Sequence, residues 1–500
     1  MKVCIIAEGC YPYVVGGVSS WVHSLIQQFP NIEFIVTSIV ANRSQRAKFA
    51  YKLPDNVSEV NEIYLMDDEF ETGRRNKKAK LRLSTAEFEA IRGLVIGERV
   101  DWKTIFDMFQ HRRFHLNDLL MSEDFLRVAE EVYELRYPSI VFSDFLWTLR
   151  SIYLPLGFAL KHTPAKADLY HCVATGYSGI VGSVGKELYG SPLLISEHGI
   201  YTREREEEII KAKWVTGVYK DFWIEQFKKM SMCAYDYADI VTSLFEDARS
   251  LQIELGCPKE KTRVTPNGVS VSDFENIPQK APDDGMINIG AAIRVTPIKD
   301  VKTMIQAFYY AKQKNPKLKL WIMGSWDEDE EYARECFELV RSMNIPDVEF
   351  TGRINVKDYL GRMDMLLLTS ISEGQPLSIL EGFAAKRPHI ATNVGNCRGL
   401  IYGEGDGLGA AGMVVPVMNI EKISRAICEM AEDLEKTKEM GEIGYRRVCA
   451  KYRIEDMKRV YTDTYKELAE KAGVKWPEKN VVIEKEEVGK SGGRHRHKAK

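Results

Sequence analysis

Short apolar runs rich in β-branched residues alternate with helical patterns along almost all of this 500-residue chain, and few folds are compatible with that rhythm. In the first half the runs are Val3 to Glu8, Glu33 to Val40, Leu169 to Val173, Leu193 to Glu197, Ile240 to Ser243 and Arg263 to Pro266. In the second half they are Ile287 to Ile293, Leu318 to Met323, Val348 to Thr351, Met365 to Leu368, His389 to Thr392 and Met413 to Val415. Strands apolar on both faces belong to parallel sheets covered by helices on both sides. A Pro- and Asp-rich stretch, Asn276 to Gly285, reads as a linker between a first domain over 1–275 and a second over 286–452. Two Rossmann-like α/β domains would then face each other across a cleft, where ligands of open sheets bind.

From about Asp67 to Lys166 no run reads as a strand, whereas several segments read as helices. Ser84 to Gly97 opens on Ser-Thr-Ala-Glu, a capping box. A helical insertion over 67–166 is expected, either enlarging the core or docking an acceptor or partner. The most apolar pattern, Phe142 to Leu160, carries Asp144 and Arg150 and is expected to break at Pro155. No stretch approaches the roughly 20 apolar residues of a spanning helix, and Val3 to Ala7 is too short for a signal-peptide core. The nine cysteines include no CxxC pair, which argues against disulfides or zinc and for a reducing cytoplasm. A net charge of −3 gives no field that would favour nucleic acid. The Lys-, Glu- and Gly-rich tail over 473–500 is expected to be disordered, and its His495 and His497 to bind nothing specific.

Candidate chemistry collects at strand ends. Thr369 to Ala385 places Glu373 and Glu381 on either side of a helix start, with Pro376 suited to the first helical position. That start offers amides to an anion, although acidic residues are common there in any case. Gly16 and Gly17, after the first strand, would let a ligand approach the backbone or simply form a turn. His198 lies just past one strand, and His171, after another strand in LYHCVATGYSG, is expected to line the same cleft. Arg294 and Lys299 share the loop before a helix near Asp300, where two cations could neutralise a phosphate. The acidic run Asp327 to Glu331, beyond Gly324, reads as a solvent-facing helix start rather than a metal motif.

In order and spacing, Gly16 with Gly17, His198, the turn Thr265 to Val269 around Asn267, Arg294 with Lys299, and Glu373 with Glu381 resemble the retaining glycosyltransferases of family 4. The resemblance covers nearly the whole chain and implies a GT-B fold: an N-terminal acceptor domain, a C-terminal nucleotide-sugar domain, and a helix over 453–472 crossing back. It also implies roles. His198, Arg294, Lys299 and Glu373 would be catalytic, without a covalent nucleophile, cofactor or metal, since Arg294 and Lys299 supply the positive charge. Glu381 would bind ribose, Glu373 the sugar hydroxyls, and Arg294 with Lys299 the diphosphate. Gly17, Gly324, Gly374, Leu377 and Ser378 would complete the donor site, with Arg353 and Ile354 touching uracil through backbone. Tyr13, His171 and Asn267 would face the acceptor.

One departure stands out, because the family's Glu-Gly-Phe-Gly becomes Glu373, Gly374, Gln375, Pro376. Pro376 removes a backbone donor and shifts amide contacts to Leu377 and Ser378. With YPYVVGGVSSW and SEHGIYTRER, this variant is similar to the PelF-type enzymes of bacterial exopolysaccharide synthesis. Those imply UDP-glucose or a UDP-N-acetylhexosamine as donor and a growing Pel-type polysaccharide as acceptor. They also imply a cytoplasmic enzyme recruited to the inner face of the membrane by embedded synthesis or export proteins. A glycogen- or sucrose-synthase-like transferase and a noncatalytic nucleotide-sugar-binding scaffold are the alternatives.

Overall fold

The computed structural model describes residues 1–41, 49–66, 81–97, 99–280 and 285–481. Residues 67–80 of the expected insertion, 281–284 of the linker, and 482–500 with His495 and His497 lie outside the described residues.

Among the described residues, the first sheet comprises β1 (Lys2–Glu8), β2 (Glu33–Val40), β3 (Val57–Tyr64), β4 (Leu169–Cys172), β5 (Leu193–Ser196), β6 (Ile240–Ser243) and β7 (Thr262–Val264). All pairs are parallel, in the order β3-β2-β1-β4-β5-β6-β7. The second sheet comprises β8 (Ile287–Ala292), β9 (Leu318–Met323), β10 (Val348–Gly352), β11 (Met365–Leu368), β12 (His389–Thr392) and β13 (Gly412–Val415). It is also parallel, in the order β10-β9-β8-β11-β12-β13.

Only β3 was not expected from the sequence. It is an edge strand with Val57 and Ile63 buried and Ser58 and Glu59 exposed, so it lacks the apolar run of its neighbours.

Side-chain alternation divides the first domain into two cores. Cys4 and Ile6 face the helices between β3 and β4, whereas Val3, Ile5 and Ala7 face the opposite layer. That layer includes Met457, Tyr461, Tyr465 and Leu468 of the last described helix, Ile454–Lys471, so the chain returns from the second domain to finish the first. Each such buried side chain contributes roughly 1.5–3 kcal/mol.

The Ser84 capping box forms, with Glu87 N–H donating to Ser84 Oγ at 3.3 Å and Ser84 N–H to Glu87 Oε2 at 2.7 Å. The helix Phe142–Lys161 does not break at Pro155 as expected. Phe145, Leu149, Ile152, Leu156 and Leu160 form its buried stripe, and that burial outweighs the ~3 kcal/mol cost of an interior proline. Among the described residues no helix is long and apolar enough to cross a membrane.

Candidate active site

Strand ends of both sheets meet at a cleft of about 720 Å³. From the first domain, the turn after β1 leads into the helix Gly17–Gln28. Gly16 caps that helix with an extended backbone that any residue adopts, and a Cβ added at Gly16 or Gly17 would meet nothing within 4 Å. Neither packing nor conformation demands glycine at these two positions. They leave open space on the cleft side.

Gly374 is the opposite case. A Cβ there would lie 2.2 Å from the carbonyl oxygen of His198, so only glycine lets the second domain's loop touch the first. His198 follows β5 and sets its ring against Trp21, with centroids 4.2 Å apart and an interplanar angle of 63°. Its buried Nε2 has no hydrogen-bond partner among the described residues. Burial pushes its pKa down to about 4, so the imidazole is neutral at pH 7.

In the second domain, Lys299 closes the 3-10 turn Pro297–Lys299. Asp300 follows with φ +47 and caps the helix Val301–Lys314. Lys299 Nζ lies 2.5 Å from Glu373 Oε1, which also accepts from Ser370 Oγ at 2.6 Å. Arg294 turns instead to Glu328 in an ion pair. The acidic run is a helix start, as expected, with Asp329 capping Glu330–Ser342. Its hold on Arg294 was not foreseen.

The helix Leu377–Ala384 begins one residue later than expected, because Pro376, with φ −67 and ψ 119, is its N-cap rather than its first residue. The amides of Leu377 and Ser378 open the helix, precede its first internal hydrogen bonds, and belong to residues that line the cleft. Glu381 lines it too, and burial pushes its carboxyl up to about 7, only partly opposed by Lys357. Asn267 donates its N–H to Gln375 Oε1 at 2.6 Å and its side-chain amide to Gln375 O at 3.1 Å. This turn therefore pins the Glu373 loop while lining the cleft.

Gly324 lines the floor, where a Cβ would sit 1.9 Å from Ile293 O. Val356, not Arg353 or Ile354, forms the wall on that side; Arg353 is exposed and Ile354 packs on the second core. Tyr13 is also outside the lining, because its hydroxyl bonds Glu62 on β3 and its ring meets Phe49.

His171 does not line the cleft. It is paired in register with Ile5 and Leu194 inside the sheet and bonds Tyr465 Oη at 2.7 Å and Ser196 Oγ at 2.8 Å. Its work is to hold the returning helix. Trp21 and the carboxylates Glu204, Glu207 and Glu208 also line the cleft and were missed. Trp21, four residues after Gly17 on one helix face, carried the only sequence signal. Among the described residues no group of three or more His, Cys, Asp or Glu is placed to hold a metal ion.

The family described as Domain of unknown function (DUF3492) matches residues 1–260, and that described as Glycosyl transferases group 1 matches 286–433. WcaL of Escherichia coli K12, named for colanic acid biosynthesis, is 29% identical over 147 residues, 28% of this chain and 36% of its own. This chain thus spans about a third of that relative. The amylovoran biosynthesis glycosyltransferase AmsK of Erwinia amylovora is 21% identical over 315 residues, 59% of this chain and 72% of its own. HepE of Anabaena, solved in complex with UDP and glucose, superposes with a TM-score of 0.59 over 93% of this chain and 99% of its own, at 14% identity. With two parallel-sheet domains on either side of a cleft, that likeness shows the GT-B fold.

Proposed function

Because the chain belongs to the family described as Domain of unknown function (DUF3492) and carries a glycosyl transferases group 1 match behind it, we propose that it is a glycosyltransferase of exopolysaccharide synthesis. It moves a hexose from a UDP-sugar to a hydroxyl of the growing polymer, with retention at the anomeric carbon. The observation that carries this reading is the Lys299–Glu373 pair, set beside the opening of the helix Leu377–Ala384 and facing His198 across one cleft. HepE, of the same fold, binds UDP and glucose, which favours a uridine nucleotide as donor.

Lys299, Arg294 released from Glu328, and the amides of Leu377 and Ser378 take the diphosphate. Glu381 takes the ribose and Glu373 the sugar hydroxyls. The bond from the anomeric carbon to phosphate oxygen breaks with its electron pair on the diphosphate. The acceptor oxygen then bonds the same carbon from the same face, and its proton passes to the departing oxygen. A neutral His198 places polar atoms beside the reacting carbon without adding charge. Acceptor specificity of the Pel type, and work at the inner membrane face beside embedded partners, belong to the same proposal.

The test mixes purified protein with a panel of UDP-hexoses and an oligosaccharide acceptor and follows UDP release, beside Glu373→Ala and Lys299→Ala. The wild type should release UDP from at least one donor and the variants should not. Equal release from all three would overturn the reading.

A further inference from the structure

The helix Tyr201–Lys211 has two working faces. Glu204, Glu207, Glu208 and Lys211 form one stripe, which rims the cleft. The neighbouring stripe, with Arg205 and Ile209, faces a separate hollow of about 210 Å³, and Glu208 stands on the boundary and lines both. Ala41 and Leu65, just past the ends of β2 and β3, form part of its wall, so it lies where ligands of parallel sheets bind.

Tyr177, Trp223, Phe227 and Trp214 give the hollow aromatic walls. Trp214 is 70% exposed and meets Trp223 edge to face, with centroids 5.6 Å apart, leaving most of its ring surface open to solvent. Arg205 pairs with Glu208 at 2.8 Å, while its Nε is buried and has no hydrogen-bond partner among the described residues.

We propose that this hollow holds one neutral sugar ring of the polysaccharide acceptor, a short distance along the polymer from the ring that reacts in the cleft. The inference rests on the glycosyltransferase reading. A pyranose ring has an apolar C–H face that packs on an aromatic surface and hydroxyls at its edge that suit a guanidinium and a carboxylate. Continuity through Glu208 gives a polymer one path from hollow to cleft. Glu204, Glu207 and Glu208 along that path disfavour a phosphate-bearing carrier or an anionic bilayer as the occupant.

Purified full-length protein would be titrated with maltotetraose, cellotetraose and chitotetraose at millimolar concentrations, by tryptophan fluorescence and saturation-transfer NMR. At least one should bind. Trp214→Ala should weaken it about two- to tenfold, Trp214→Phe should keep most of the affinity, and UDP should bind all three proteins equally. Failure of every tetrasaccharide to bind the wild type, or equal binding by Trp214→Ala, overturns the proposal. So does a Trp214→Ala loss confined to phosphatidylglycerol vesicles, which would mark a membrane contact. UDP binding without saccharide binding removes this inference alone, whereas absence of both removes the functional reading.

Discussion

Replacing Glu373 by Gln should make the protein hold UDP more tightly while abolishing turnover. Glu373 Oε1 is 2.5 Å from Lys299 Nζ, and the two side chains are only 11% and 17% exposed. A diphosphate entering the cleft must draw Lys299 away from that carboxylate. Removing one partner of a fully buried pair costs ~3–5 kcal/mol. This pair borders an open cleft, where water and ligand oxygens replace part of the lost contact, so ~1–2 kcal/mol is the appropriate scale. In the wild type every UDP molecule meets that cost. In Glu373→Gln it does not, and Kd for UDP should fall about five- to thirtyfold. Without ligand, the same variant leaves Lys299 unpaired and should lose ~1–2 kcal/mol of stability, which UDP restores in a thermal melt. Lys299→Met should weaken UDP binding, and the Lys299→Met/Glu373→Gln double variant should be more stable than the single variants sum to. Isothermal titration with UDP and melts with and without it decide the matter. Unchanged or weaker UDP binding by Glu373→Gln, or additivity within about 0.5 kcal/mol in the double variant, would refute the reasoning.

Gly374→Ala adds a Cβ 2.2 Å from His198 O and should separate the domains there, so turnover falls steeply while UDP binding, seated in the second domain, stays within a few-fold. Equal losses of both would contradict this. Gly17→Leu projects a side chain into open cleft space, so it should block UDP-sugar turnover without lowering Tm; a large drop in Tm would show that the glycine serves packing. Glu381 has its pKa raised from 4.5 to about 7 by burial, so its contribution to stability is complete below about pH 4.5 and is lost as pH rises to about 7. Glu381→Gln should therefore gain stability relative to wild type across that window, reaching ~2–3 kcal/mol near neutrality, and urea unfolding at several pH values that shows a constant difference would contradict the shift.

The sheets were legible because their strands are apolar on both faces and short. β3 was not, since an edge strand needs only Val57 and Ile63 inward and leaves Ser58 and Glu59 to water. Positions in the cleft followed from strand ends and helix starts, which is why Gly17, His198, Lys299, Glu373 and Glu381 meet there. Pairing was not legible. Lys299 and Glu373 are 74 residues apart and Arg294 and Glu328 are 34 apart, and nothing local to either sequence tells a cation which carboxylate it will face. The two histidines show how fine the margin is. His198 lies just beyond β5 and reaches the cleft, whereas His171 lies within β4, in register with Ile5 and Leu194, and is sealed in the core.

The loop Glu373, Gly374, Gln375, Pro376 separates two kinds of contact. Glu373 meets Lys299 and Ser370 within the second domain, and the same domain supplies Glu381 and the opening of the helix Leu377–Ala384. Gly374 touches His198, and Gln375 bonds Asn267, both across to the first domain's side. The groups assigned to the nucleotide thus belong to one sheet domain, although Arg294 must leave Glu328 and Lys299 must leave Glu373 to meet the diphosphate. His198, by contrast, belongs to the first domain, packs on Trp21 there, and meets the second domain's loop at Gly374. On the proposed reading, donor grip and reacting centre are separable: the second domain alone holds the nucleotide, and domain contact brings the imidazole to the sugar and excludes water. Gln375 and Pro376, which set this loop apart from the commoner Glu-Gly-Phe-Gly pattern, divide between those two functions. Gln375 ties the loop to Asn267 of the first domain, whereas Pro376 fixes where the helix begins and so which amides face the diphosphate.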